Sequence, residues 1–238
     1  MSFFDRFKKK PAPGPETPIA KQSPGDRLPI TVMTPDQVIA QLEKLDYFVY
    51  ADPADLNQLK DELGQGLAEE HYFPFVEVGR PRYQGIDPRQ FNLDNETLFE
   101  QGGILEALTE MTPLFGKMNI KMEITDHVEV CDRWTGLDHR ITLNGKPYTI
   151  FDHWEGYGWG ESAQRFTDMV NDQLSLQNSV ERLYLIQGAE DGRAVFLTPE
   201  QYALVRPLID DIRECPLPTQ EWCEVWGVTW KNVIDHVR

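Results

Sequence analysis

The chain is poor in the residues that mark the commonest specialised classes. It has three cysteines in 238 residues, Cys131, Cys215 and Cys223, and no CxxC pair. An odd count without that spacing is neither a disulfide framework nor a zinc ribbon, and it reads most simply as a protein of a reducing compartment. No run of about 18 apolar residues is present, so a membrane-spanning helix is not expected. The opening MSFFDRFKKK has no continuous apolar core of the kind a secretory signal carries. These absences together predict a cytoplasmic protein.

Positive charge is also scarce. There are 23 Lys and Arg against 39 Asp and Glu, a formal charge of −16. The first 34 residues hold six of the basic and three of the acidic residues. The remainder therefore holds 17 against 36, a net of −19. Nonspecific nucleic-acid binding needs Lys and Arg to displace counterions, so no nucleic-acid partner is expected. An acidic body favours solubility and steers basic partners toward it. The same balance is ordinary for many bacterial cytosolic proteins, so charge alone names no role.

Catalytic signatures are missing as well. There is no GxSxG nucleophile elbow, no HExxH, and no P-loop lysine after the glycine-rich stretch HWEGYGWGES at 153–162. GAEDG at 188–192 has too few acidic ligands for an EF-hand and reads as a hairpin turn. No cofactor is implied.

What is present is a well-punctuated order of elements. Residues 1–30, rich in Pro, Gly and charge, read as a disordered tail. Phe3, Phe4 and Phe7 beside Arg6 and Lys8–Lys10 offer a short amphipathic segment through which residues 1–10 would touch anionic lipid. Residues 31–238 read as a single α+β domain. Within it, 31–70 is a helical N-terminal unit. Thr34-Pro35-Asp36-Gln37 caps its first helix, with Val38, Ile39, Leu42 and Leu45 on one face. Asp52-Pro53 starts its second, with Leu56, Leu59, Leu63 and Leu67 as the stripe. Tyr47–Tyr50 reads as a short extended link between them.

Residues 71–93 form a long irregular connection broken by Pro and Gly. A helix through Ile104, Leu105, Leu108 and Met111 breaks near Pro113.

From Asn119 the period becomes two. Ile120, Met122, Ile124, Val128 and Val130 alternate with polar residues, and this predicts a strand over 119–131 with a bulge near Thr125-Asp126. Asn144-Gly145 marks a hairpin over 138–152, with His139 opposite Ile150 and Ile141 opposite Tyr148. A helix burying Ala163, Phe166, Val170 and Leu174 follows. A second hairpin then pairs Arg182–Gln187 with Arg193–Leu197. Thr198-Pro199-Glu200-Gln201 repeats the earlier cap. Trp222, Trp226 and Trp230 suit one face of either a helix or a strand, core or interface. The expected architecture is one antiparallel sheet of about five strands, carrying helices on one face and capped by the N-terminal helices.

Three groups stand out as candidate sites. Trp154, Tyr157 and Trp159 are interleaved with glycines, and such aromatics can form a platform for a partner peptide or a flat ligand. Arg80, Arg82 and Arg89 are the one basic cluster of the acidic body, suited to carboxylate or phosphate. Asp126-His127, Asp138-His139 and Asp152-His153 pair the usual metal and acid–base residues. Adjacent strand residues point to opposite faces, so each pair offers one side chain to a shared site. His139 and Asp152 are the pair placed on one face, near the open end of the hairpin.

The resulting expectation is a non-enzymatic cytoplasmic protein that binds a protein partner, basic in character, as an adaptor or toxin-neutralising protein. The alternative is an enzyme with a His139/Asp152 site, with or without a metal.

Overall fold

A computed structural model of the chain describes residues 33–75, 85–132, 136–188 and 191–233. The tail, Arg80 and Arg82 lie outside these residues.

The N-terminal helices form where their caps predict. Helix α1 (Pro35–Lys44) opens on a complete capping box: the Thr34 hydroxyl accepts from the Gln37 amide, and the Gln37 side chain accepts from the Thr34 amide. It buries Val38 and Leu42. Tyr47–Tyr50 is a 3₁₀ turn rather than an extended link. Helix α2 (Leu56–Ala68) buries Leu59, Leu63 and Leu67 against α1.

The long connection is not wholly irregular. It ends in a three-residue strand, β1 (Gln90–Asn92). Helix α3 (Asn95–Phe99) follows, capped by the Asp94 carboxylate on the Thr97 amide. Helix α4 (Gly103–Lys117) continues through Pro113 instead of breaking there.

The remaining strands are β2 (Ile124–Asp132), β3 (Gly136–Leu143), β4 (Lys146–Trp154), β5 (Arg182–Ile186) and β6 (Arg193–Leu197). The fold is α+β. Its six strands make two antiparallel sheets of three, ordered β2-β3-β4 and β1-β6-β5, not one sheet of about five. The physical reason is helix α5 (Trp159–Leu176), which packs against both β4 and β5 and separates them. Covered on more than one side, α5 buries Ala163, Phe166, Met169, Val170 and Leu174 together with the polar Ser162, Gln164, Arg165, Thr167 and Gln173. The chain closes with α6 (Pro199–Val205), capped by Thr198 as Thr34 caps α1, and α7 (Thr219–Trp226). Trp222 lies in the core and Trp230 is exposed.

The β3–β4 turn forms as the sequence demands. Asn144 and Gly145 take φ of 50° and 79°, the left-handed values of a two-residue hairpin turn. The expected register holds from Leu143↔Lys146 through Ile141↔Tyr148 to Arg140↔Thr149. Beyond it two bulges intervene, so His139 faces Phe151 instead of Ile150, and Leu137 faces Trp154.

Strand β2 departs further from its pattern. Val128 and Val130 are 41% and 52% exposed, while His127 and Glu129 turn inward beside His139. The polar parity of the strand faces the body of the protein. Buried apolar side chains from Val38 to Val233 belong to one hydrophobic cluster.

Candidate functional site

The candidate surface residues separate once folded. Arg89 is almost fully buried. Its Nε donates to the Tyr47 carbonyl at 2.6 Å, and its terminal nitrogens reach the carbonyls of Asp46 and Phe196 at 3.3 Å. The Glu181 carboxylate stands 3.5 Å away, and the guanidinium lies over the rings of Tyr47 and Tyr50. Every one of these contacts is internal, so Arg89 is not part of an exposed anion site. Glu181 also accepts from the Tyr50 hydroxyl at 2.7 Å. Burial, with that bond, pushes the Tyr50 phenol up to about 12.

The aromatic loop divides too. Trp154 turns back on the core. Its ring centre is 5.4 Å from Phe151, with the Arg165 guanidinium over its face at 5.0 Å. Tyr157 and Trp159 meet each other edge to face at 5.5 Å, and Tyr157 is exposed. The three rings form no single platform. The glycine between them has a packing reason: a Cβ on Gly158 would come within 2.7 Å of the Phe99 ring.

His139 and Asp152 are on opposite faces. The bulges shift the register by one residue, and a shift of one exchanges the faces of a strand. Asp152 is exposed and pairs with Arg140 at 3.3 Å, while Asp138 pairs with His153 at 3.4 Å on the same outer face. The shared His139/Asp152 site is therefore not formed.

His139 instead meets two residues of β2. Glu129 lies directly across from it, and His127 is two pairs further along, opposite Ile141. The Nε2 atoms of His127 and His139 are 3.1 Å apart. The Glu129 carboxylate is 3.8 Å from His127 Nε2 and 3.7 Å from His139 Nδ1. One carboxylate oxygen accepts from the Gly102 amide at 2.9 Å. Burial, with the neighbouring His127, lowers the His139 pKa to about 4, so this imidazole is neutral. Burial raises the Glu129 pKa, against the Gly102 bond and His127, which lower it.

A further concavity lies elsewhere. A groove of about 770 Å³ opens between α3, α4 and the outer edge of β1. Five exposed carboxylates line it: Asp52, Asp94, Glu106, Glu110 and Asp191. Asp87 lies behind them, bonded to the hydroxyl of Tyr47 and the amide of Gln90. Among the described residues two cations line it, and both are held by the protein. Lys117 donates to the Tyr50 carbonyl. Arg193 is fixed by the Phe73 carbonyl, the Gln187 side chain and Glu214. Carboxylates therefore outnumber cations among the described lining residues. Apolar surface from Phe91, Leu98 and Leu114 lies among the charges. Among the described residues β1 pairs with β6 alone, so its other edge opens on the groove.

Sequence reading missed the groove because its carboxylates come from four separate segments. The one signal available was the net charge of the body. It named His127 in the Asp126-His127 pair but placed it on the outer face, and it missed Glu129, because the alternation of β2 points the valines inward. Comparisons of the chain with protein-family models, with curated proteins and with solved structures find no match.

Proposed function

We propose that the protein is a non-enzymatic binding protein whose acidic groove takes a basic segment of a protein partner, in an adaptor or neutralising role. The observation that carries this reading is the groove itself: five exposed carboxylates gathered beside the open edge of a strand. An extended peptide adds to a sheet edge through its main chain, and charged side chains then select it. Carboxylates around the edge select Lys and Arg and repel acidic segments.

A second feature supports the reading. Glu106 and Glu110 are one helical turn apart on α4, on the same face. Like charges at that spacing cost a helix a few tenths of a kcal/mol. Both line the groove, so a basic segment seated there would meet the two together.

The test uses the full chain and a labelled oligolysine peptide, with an oligoglutamate peptide as control. The oligolysine binds and the control does not. Glu106→Lys combined with Glu110→Lys weakens binding by roughly 10-fold or more, since each reversal near a cation is worth about 1 kcal/mol even in water. Circular dichroism of the double variant stays that of the parent. Equal affinity for both peptides, or an unchanged affinity in the double variant, overturns the proposal.

A further inference from the structure

Away from the groove, His127, Glu129 and His139 bring three ligand-type side chains to one point on the inner face of the β2–β3 pair. Their candidate ligand atoms all lie within 4.8 Å of one another. None of the three lines the groove.

We propose that this cluster is a binding site for one divalent transition-metal ion of the zinc type, held by the Nε2 atoms of His127 and His139 and by a carboxylate oxygen of Glu129.

The spacing fits the ion. A tetrahedral zinc holds imidazole nitrogens at about 2.0–2.1 Å, which places two of them about 3.3 Å apart. The two Nε2 atoms are 3.1 Å apart. The carboxylate oxygen, at 3.8 Å from His127 Nε2, reaches a ligand position by closing roughly half an ångström, within the range of a side-chain adjustment.

The surroundings fit it too. With both Nε2 lone pairs directed to the ion, each ring carries its proton on Nδ1. The His139 Nδ1 stands 3.7 Å from an oxygen of Glu129, beyond hydrogen-bond reach, so the ligating carboxylate does not also serve as the outer partner of that ring. The Gly102 amide, donating to Glu129 at 2.9 Å, holds the carboxylate in place.

Burial separates this cluster from an ordinary surface group. The side chains of His139 and Glu129 are 2% and 5% exposed, and that of His127 is 21% exposed. The site is enclosed, with an opening on the His127 side. The ligand set names the metal class. Two imidazoles with one carboxylate suit zinc and its neighbours, whereas calcium and magnesium take oxygen ligands. Three protein ligands leave a fourth position for water or a group from outside. A bound ion ties the edge strand β2 to β3 and, through Glu129, to the turn that opens α4.

The test starts from protein purified without a histidine tag, stripped with a chelator and desalted. Zinc is titrated against a chromophoric chelator, cobalt is added to a parallel sample for its visible absorption, and the melting temperature is followed with zinc in excess. The expected result is one tight equivalent, a tetrahedral cobalt spectrum and a raised melting temperature. His127→Asn, at the least buried ligand, and Glu129→Gln each lower the affinity by roughly 100-fold, at least what loss of an outer partner costs, and abolish the cobalt band. Their circular dichroism without metal matches the parent. His153→Asn serves as the control for the exposed group of Asp138, Asp152 and His153, and it leaves binding unchanged. Absence of stoichiometric binding overturns the proposal. So does tight binding that survives in both His127→Asn and Glu129→Gln, or binding that is lost in His153→Asn.

Discussion

Arg89 shows how a residue type misleads when its surroundings are unknown. In an acidic chain an arginine near two others reads as an exposed anion site. Folding gives it a different task. Its planar fork reaches main-chain carbonyls of the 3₁₀ turn at Tyr47–Tyr50 and of β6, so one side chain joins the N-terminal helices to the β1-β6-β5 sheet. Arginine suits this because it keeps its charge when buried and offers five donors in a fixed plane. Loss of that side chain leaves Glu181 buried without its cation and takes a donor from the carbonyls of Asp46, Tyr47 and Phe196. Removing one partner of a buried pair costs about 3–5 kcal/mol. Arg89→Ala is therefore expected to lose stability on that order in urea unfolding. The folded fraction keeps the parent affinity for oligolysine, because Arg89 does not line the groove. A loss below about 1 kcal/mol, the scale of an exposed ion pair, shows that the tether is not structural.

Among the elements, those set by local chemistry were legible and those set by neighbours were not. The two Thr-Pro caps, the Asn144-Gly145 turn, the buried stripe of α5 and the β5–β6 hairpin depend on residues within a few positions of one another, and all of them form. The bulges of β4, the split into two sheets and the facing of β2 depend on what packs against them. Strand β2 is the sharpest case, since alternation fixes which residues share a face but not which face is inner. The His127–Glu129–His139 cluster was partly legible for that reason: His127 and His139 were named, but His127 and Glu129 lay on the face assigned to solvent. The two readings of β2 predict different energies. If Val128 and Val130 were core, replacing both by Lys would unfold the protein. The structure places them outside, so Val128→Lys with Val130→Lys shifts stability by no more than about 0.5 kcal/mol per site, as exposed substitutions do. Ile141→Ala, on the buried face of β3, costs about 2–5 kcal/mol. Thermal or urea unfolding of the two variants decides it, and a collapse of the double lysine variant would restore the sequence reading. Lysines on an open edge also discourage strand pairing between copies.

At the scale of the whole molecule, the formal charge of −16 acts beyond any single contact. Its field extends about a Debye length, ~30 Å at 0.01 M salt and ~10 Å at 0.1 M. At low salt a basic segment is drawn toward the groove from well outside contact. At higher salt only the carboxylates next to it are felt. The consequence falls on the rate of association more than on dissociation, because short-range contacts in the complex are screened far less than the approach. Stopped-flow mixing of the full chain with labelled oligolysine is expected to show an association rate falling by at least about 10-fold across that salt range, with a smaller change in dissociation. The Glu106→Lys, Glu110→Lys variant separates the groove from the overall charge. Two reversals change the net charge of the chain by only four units, yet they act at the mouth of the site. A field from the whole body predicts a modest fall in rate for the variant, with the salt dependence largely kept. A field focused in the groove predicts most of the salt dependence gone. The clustering of five exposed carboxylates around one strand edge favours the second outcome. An association rate insensitive to salt in the parent protein would mean that charge does not guide the partner at all.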